Sequence, residues 1–201
     1  VARLSYPSAR RTRYHWAMSE HRKWLVLPLV LLLVGVAGRH ASAYWPDTIA
    51  RGVVKRWAAH SAMTGRVLLD KYGLPDDVTP FRMPWNNKWP WKRTIVSNQK
   101  QIYRSLDDFN VLEQTVAYTV SFDQAAELLA FRDGLVVDLE NDELTIRADR
   151  EEINFLTLNL ADDILHGRAT VAQARASYAE MLELEAAGKS SPYLTRLLWT
   201  D

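Results

Sequence analysis

An apolar run at residues 24–38, followed almost at once by Ala41-Ser42-Ala43, sets the limits of what this chain can fold. Only Pro28 breaks the run, and Arg22 and Lys23 stand just before it. A basic stretch, an apolar stretch of about 7–15 residues and a small-x-small site are the three parts of a secretory signal peptide. A helix that crosses the hydrocarbon core needs about 20 apolar residues at 1.5 Å of rise each, more than the run supplies. The pattern therefore predicts export to the periplasm or beyond, with cleavage after Ala43, and Ala41 and Ala43 as the residues the leader peptidase reads. The alternative is an uncleaved inner-membrane anchor through residues 24–38, the only part through which membrane contact is expected. Met18 is the expected translation start, since residues 1–17 add no hydrophobic pattern. With no cysteine in the chain, a lipid-anchored lipoprotein is excluded.

Residues 44–201 remain, enough for one domain that buries about two-thirds of its unfolded surface. An exported domain without cysteine has no disulfide framework, so its apolar core must hold the fold. Thiolate metal sites and a cysteine nucleophile are excluded with it. The formal charge of +1 is misleading, because seven of the 25 Lys and Arg residues lie in residues 1–43. The expected mature domain is −5, divided into +7 over residues 44–104 and −12 over residues 105–201. A nucleic-acid partner is not expected, since its footprint would be a basic face on a basic domain.

Periodicity then places the elements. Asp47 or Thr48 caps a first helix with Ile49, Val53, Val54 and Trp57 at helical spacing, and Ser61 starts a second whose stripe is Met63, Val67 and Leu68. Gly73 ends that helix in a left-handed conformation. Residues 81–85 and 91–97 read as a hairpin around Asn86-Asn87-Lys88. Alternation from Leu112 to Val120 reads as a half-buried strand, and Ser121 with Gln124 as the capping box of a short helix. A second hairpin turns at Asn141-Asp142. Asp149 with Glu152 opens a helix with Ile153, Leu156, Leu160 and Ile164 facing the core, and Thr170 with Gln173 opens the last long helix. The tail, with Tyr193, Leu197, Leu198 and Trp199, is apolar enough to dock. The expected fold is α+β: a mostly antiparallel sheet of four to five strands packed with about five helices.

Lys71-Tyr72-Gly73-Leu74-Pro75-Asp76, Trp85, residues 90–96 (Pro-Trp-Lys-Arg-Thr-Ile-Val) and the run from Ile153 to Ile164 carry a resemblance. The chain resembles a group of uncharacterised exported bacterial proteins that join a helix to a Tyr-Gly-x-Pro-Asp turn and a Trp-bearing hairpin. That resemblance covers most of residues 44–201, implies export and brings no activity with it. A looser likeness, at the level of fold analogy, is to small α+β lipoproteins of outer-membrane assembly.

The densest candidate site is Trp85, Trp89 and Trp91 with Lys88, Lys92 and Arg93. Exposed indoles beside cations can hold a sugar ring with an acidic group, or sit at a membrane surface. The bland reading places the indoles in the core and the cations at its rim. Asn159 and Asp163, at i,i+4, either form a polar pocket that accepts from Arg93 or another cation of residues 44–104, or belong to a solvent-facing stripe or structural network. Asp138, Glu140, Asp142 and Asp149 fall at calcium-loop positions one, three, five and twelve, but Glu143 replaces the glycine that the turn needs, so a hairpin tip is expected there. His60 beside Ser61 points away from it on a helix, and neither His60 nor His166 has a visible catalytic partner. No metal or cofactor is expected. The function expected is a non-enzymatic binding or interaction module of the cell envelope, with an envelope protein or glycan as partner. A cell-envelope hydrolase, or a signal-anchored membrane subunit, is the alternative.

Overall fold

The computed structural model describes residues 47–98 and 110–200, all within one compact unit, residues 45–201. Residues 1–43, read above as an expected leader with its cleavage site at Ala41 and Ala43, lie outside the described residues. The order is α1 (Asp47–Val54), α2 (Ala59–Tyr72), β1 (Arg82–Lys88), β2 (Trp91–Ser97), β3 (Leu112–Ala117), α3 (Phe122–Phe131), β4 (Leu135–Asp138), β5 (Glu143–Ala148), α4 (Glu151–Leu165) and α5 (Val171–Ala186). A single 3-10 turn, Pro192–Leu194, begins the tail. The five strands form one antiparallel sheet in the order β1-β2-β3-β5-β4, so the domain is α+β with five described α-helices.

β1 lies at an edge of the sheet, where Pro84, which has no N–H to give a ladder, is tolerated. Its carbonyl accepts from Asp76 N at 2.9 Å, and Asp76 Oδ2 accepts from Asn86 N at 2.6 Å, so the 76–79 segment covers that edge. The β1–β2 turn differs from the expectation. Pairing continues past Asn86–Arg93 to Lys88–Trp91, and the turn is Trp89-Pro90, joined by a cis peptide bond. Asn87 keeps its place in the strand by taking φ 53°, which asparagine tolerates better than most residues.

Two apolar clusters hold the layers. Beside β1 and β2, Val54 of α1, Trp57 of the turn that follows it, and Leu68 and Leu69 of α2 pack against Met83, Trp85 and Val96. Gly65 permits that approach: a Cβ there would stand 3.2 Å from Val54 Cγ2 and 3.4 Å from Trp57. The buried face of α2 is thus Ser61, Ala62, Thr64, Gly65, Leu68 and Leu69. Of the expected stripe only Leu68 is inside, because small residues face the neighbouring helix and leave Met63 and Val67 at the surface. Ser61 is buried within the helix and is not its cap. Gly73 follows with φ 74° and ψ −148°, a region nearly confined to glycine but not the left-handed helical one.

The larger cluster surrounds α4, twelve of whose fifteen residues are buried. A helix apolar over most of its circumference is an interior helix, and α4 is covered by the sheet, α3, α5 and the tail. Its N-cap is Arg150, with no side-chain cap bond, and Asp149 instead pairs with Arg150 at 2.6 Å. The caps expected elsewhere form: Ser121 N donates to Gln124 Oε1 at 3.2 Å, and Gln173 N donates to Thr170 Oγ1 at 3.2 Å.

Candidate functional site

Sheet, α2 and α4 meet at one carboxylate. Glu151, the first residue of α4, is placed where the helix end carries partial positive charge and favours an anion. It is buried, and four donors converge on it: Trp91 Nε1 at 2.5 Å, Gln114 Nε2 at 3.1 Å, the Tyr72 hydroxyl and the Lys71 ammonium. Gln114 also donates to Thr94 Oγ1 at 3.3 Å, and Asn154 Nδ2 donates to Gln114 Oε1 at 2.9 Å. Burial, and then the charge of Glu151, push the Tyr72 phenol well above the ordinary tyrosine range. The node ties α2, β2, β3 and α4 together with charge-assisted bonds, the strong kind.

Strand alternation alone does not explain how Trp91 reaches this node. Its parity is that of Arg93 and Ile95, both half-buried, yet Trp91 is buried and stacks on Phe155 with ring centroids 5.0 Å apart. The positive φ of Asn87, between the Asn86–Arg93 and Lys88–Trp91 pairs, interrupts the pleat there.

The three hairpin indoles therefore do not share a surface. Trp85 is fully buried and donates from Nε1 to Gly73 O at 3.0 Å. Trp91 belongs to the node, and Trp89, in the turn, is 77% exposed. Lys92 pairs with Glu143 at 2.6 Å, while Arg93 reaches Glu143 at 3.4 Å and Thr115 Oγ1 at 3.2 Å.

The helix polar residues turn inward to the tail. Asn159 donates to Tyr193 O at 3.0 Å and Arg196 O at 2.8 Å, and its Oδ1 accepts from Leu198 N at 2.8 Å. Asp163 accepts from Arg168 Nε at 2.6 Å and from the Tyr193 hydroxyl at 2.7 Å. The pocket that accepts from Arg93 is not formed; Arg93 is spent at Glu143 and Arg168 serves Asp163. Asp162, beside it, takes the Tyr118 hydroxyl and Arg168. Burial, then the bond to Asp163, push the Tyr193 phenol up to about 12.

The calcium-like segment is a hairpin tip: Asp138 Oδ1 accepts from Glu140 N at 3.1 Å and Asn141 N at 3.0 Å, and β5 begins at Glu143. Among the described residues no group of three or more His, Asp or Glu is placed to hold a metal ion, and no helix is long and apolar enough to cross a membrane.

An opening beside the Glu151 node is the feature the sequence did not announce. A groove of about 290 Å³ runs between α2 and the start of α4, lined by Met63, Val67, Leu68 and Leu112 together with the charged Lys71, Asp149, Arg150, Glu151 and Glu152. Met63 and Val67 are 56% and 57% exposed. A broader hollow of about 570 Å³ lies against α5 and is lined mostly by charged and polar groups, including Arg132, Arg150 and Glu185. Of the node, Gln114 carried a readable signal: it sits between Leu112 and Val116 on the inward parity of a strand. Glu151 carried little, since a glutamate in a first helical turn is ordinary at a surface.

Fold and site together define an α+β domain built round a buried polar node, with an apolar groove opening beside it. No family model, curated protein or solved structure matches the chain.

Proposed function

We propose that this chain is an exported envelope protein whose domain acts by binding, and that the α2–α4 groove is where it binds. The observation that carries the reading is the groove itself: a concave, largely apolar site with a few convergent polar groups is the ordinary form of a binding site, and Met63 and Val67 remain in solvent there. The carboxylates that a hydrolase would use support binding over turnover. Glu151, Asp162 and Asp163 each serve as acceptors for neighbouring side chains that fasten helices, strands and tail. A partner protein fits better than a glycan, because two of the three indoles that would stack on sugar rings are core residues. The leader pattern supports the envelope as the place of action.

The test uses the chain as isolated from cells and an anilinonaphthalene sulfonate dye as apolar probe. Saturable fluorescence enhancement is expected, with Val67→Asp weakening it about tenfold, equal to about 1.4 kcal/mol, and Trp89→Ala leaving it unchanged. Equal binding by wild type and Val67→Asp would remove the groove from the account. Amino-terminal sequencing of the same material is expected to start at Tyr44.

A further inference from the structure

We infer that the hollow against α5 is a second binding site, for a small organic monocarboxylate with an apolar body, and that Arg132 takes the carboxylate. Arg132 directly follows α3, where the backbone turns extended with φ −152° and ψ 135°. Phe131, just before it, is buried, and Arg175 of α5 donates from Nε to Phe131 O at 3.2 Å, which fixes the end of α3 against α5. Tyr178, Leu182 and Glu185 continue the face of α5 that Arg175 begins, at helical spacing. Arg132 is thereby laid over Tyr178, its guanidinium carbon 4.2 Å from the ring centroid.

Arg132 differs from other arginines of the domain in how its charge is met. Arg51, Arg93, Arg147, Arg150 and Arg168 each pair with a carboxylate. Arg132 is half-buried, and among the described residues no carboxylate pairs with it; its Nε, shut away from solvent, has no hydrogen-bond acceptor. A guanidinium is a planar fork of N–H donors that fits a carboxylate two bonds at a time. The ring of Tyr178 serves the face of that fork and leaves its edge without the partner that a half-buried charge requires. The hollow that Arg132 lines, about 570 Å³, is of the size that holds small ligands.

The other charges of the hollow set the class of ligand. Arg150 lies between two acids, 2.6 Å from Asp149 and 2.7 Å from Glu185, and is already paired on both sides. That trio carries one net negative charge, set against the one positive charge of Arg132. A dianion such as phosphate meets twice the repulsion that a single carboxylate meets there, so the carboxylate is favoured. Ile153, Leu182 and the Tyr178 ring give the rest of the ligand an apolar wall. Asp149 and Arg150 also border the α2–α4 groove, but Arg132, Tyr178 and Leu182 do not, so the two sites are separable.

Titration calorimetry of the full chain at pH 7 with phenylacetate tests the site. Saturable binding is expected at a dissociation constant of about 1 mM or tighter, in keeping with so small a ligand. Acetate, which lacks the apolar body, and phosphate should each bind at least about tenfold more weakly. Arg132→Met keeps a stem over Tyr178 without the charge and should weaken phenylacetate at least about tenfold; Arg132→Lys keeps the charge, loses the fork and should fall between. Glu185→Gln removes a repelling charge and should tighten binding about threefold. Circular dichroism checks that each variant is folded, and Arg132→Lys stands in for Arg132→Met if that one is not. No saturable binding of phenylacetate, or undiminished binding by the Arg132 variants, would overturn the site. Phosphate binding as tightly as phenylacetate, or no gain in Glu185→Gln, would overturn the monocarboxylate as its ligand. Val67→Asp should leave phenylacetate binding unchanged; a loss there would place the ligand in the groove and overturn the hollow, whereas loss of dye binding alone would count against the groove only.

Discussion

Replacing Glu151 by alanine tests whether the buried node is what joins helix, sheet and α4. Trp91 Nε1 and Gln114 Nε2 are buried and donate to this carboxylate at 2.5 and 3.1 Å. Gln114 keeps Thr94 as a second acceptor, so its loss is partial. Trp91 is left with a buried donor, which costs about 1–3 kcal/mol, on top of a charge-assisted bond worth about 1.5–3 kcal/mol. The Tyr72 hydroxyl is half-buried and partly recovers water. Lys71 is half-exposed, so its pairing contributes only about 0–1 kcal/mol. The loss expected for Glu151→Ala is therefore about 3–5 kcal/mol, the range for breaking a buried ion pair from one side. Glu151→Gln keeps an oxygen for Trp91 and Tyr72 and should lose about 1–2 kcal/mol, neutral acceptors being roughly half as strong. Adding Trp91→Phe to Glu151→Ala removes the stranded donor, so the double variant should be more stable than the two single losses summed. Urea unfolding of the full chain at pH 7, followed by tryptophan fluorescence and circular dichroism, measures all three. A loss below about 1 kcal/mol for alanine, or equal losses for alanine and glutamine, would refute the assignment of Glu151 as the joining residue.

Three further outcomes follow from the same geometry. Trp85→Ala should cost about 3–5 kcal/mol as a core truncation, whereas Trp89→Ala, in a solvated turn, should stay within about 0.5 kcal/mol of wild type by thermal melting. Asn159→Ala should cost about 2–3 kcal/mol by stranding Leu198 N–H and should open the tail, seen as rapid proteolysis after residue 188; a tail that stays resistant would contradict the docking role given to Asn159. Tyr72, Tyr118 and Tyr193 all have phenol pKa values raised by burial first and by a neighbouring carboxylate next. The folded state thus favours their neutral form, so the stability they lend is complete below about pH 10, the ordinary tyrosine value, and is lost as the pH climbs through the raised values, about 12 for Tyr193. Absorbance at 295 nm should show these rings ionising together with unfolding, and normal titration of all tyrosines in the folded chain would contradict their burial.

Local pattern carried most of the element list. The Ser121 and Thr170 boxes and the Asn141-Asp142 turn are written in neighbouring residues, because capping and turn chemistry act over three or four positions. Where the first hairpin turns was not: Asn86-Asn87-Lys88 has turn composition, yet the ladder runs through it and Pro90, unable to donate, takes the turn. The candidate sites were legible as residue types and not as places. Trp85, Trp89 and Trp91 look alike in the sequence, and only packing separates two core rings from one surface ring.

Residue order alone settles the cysteine-free core, the alternation of helix and strand, and the apolar weight of α4, since each depends on composition or on contacts within a few residues. Tertiary structure alone decides that Glu151 gathers donors from three other elements, that Asn159 and Asp163 hold the tail, and that small residues on α2 turn Met63 and Val67 out to solvent. The Glu151 and Asp163 bonds join partners 30 to 80 residues apart, and a hydrogen bond or a packed face has no expression in sequence until the fold brings its partners together.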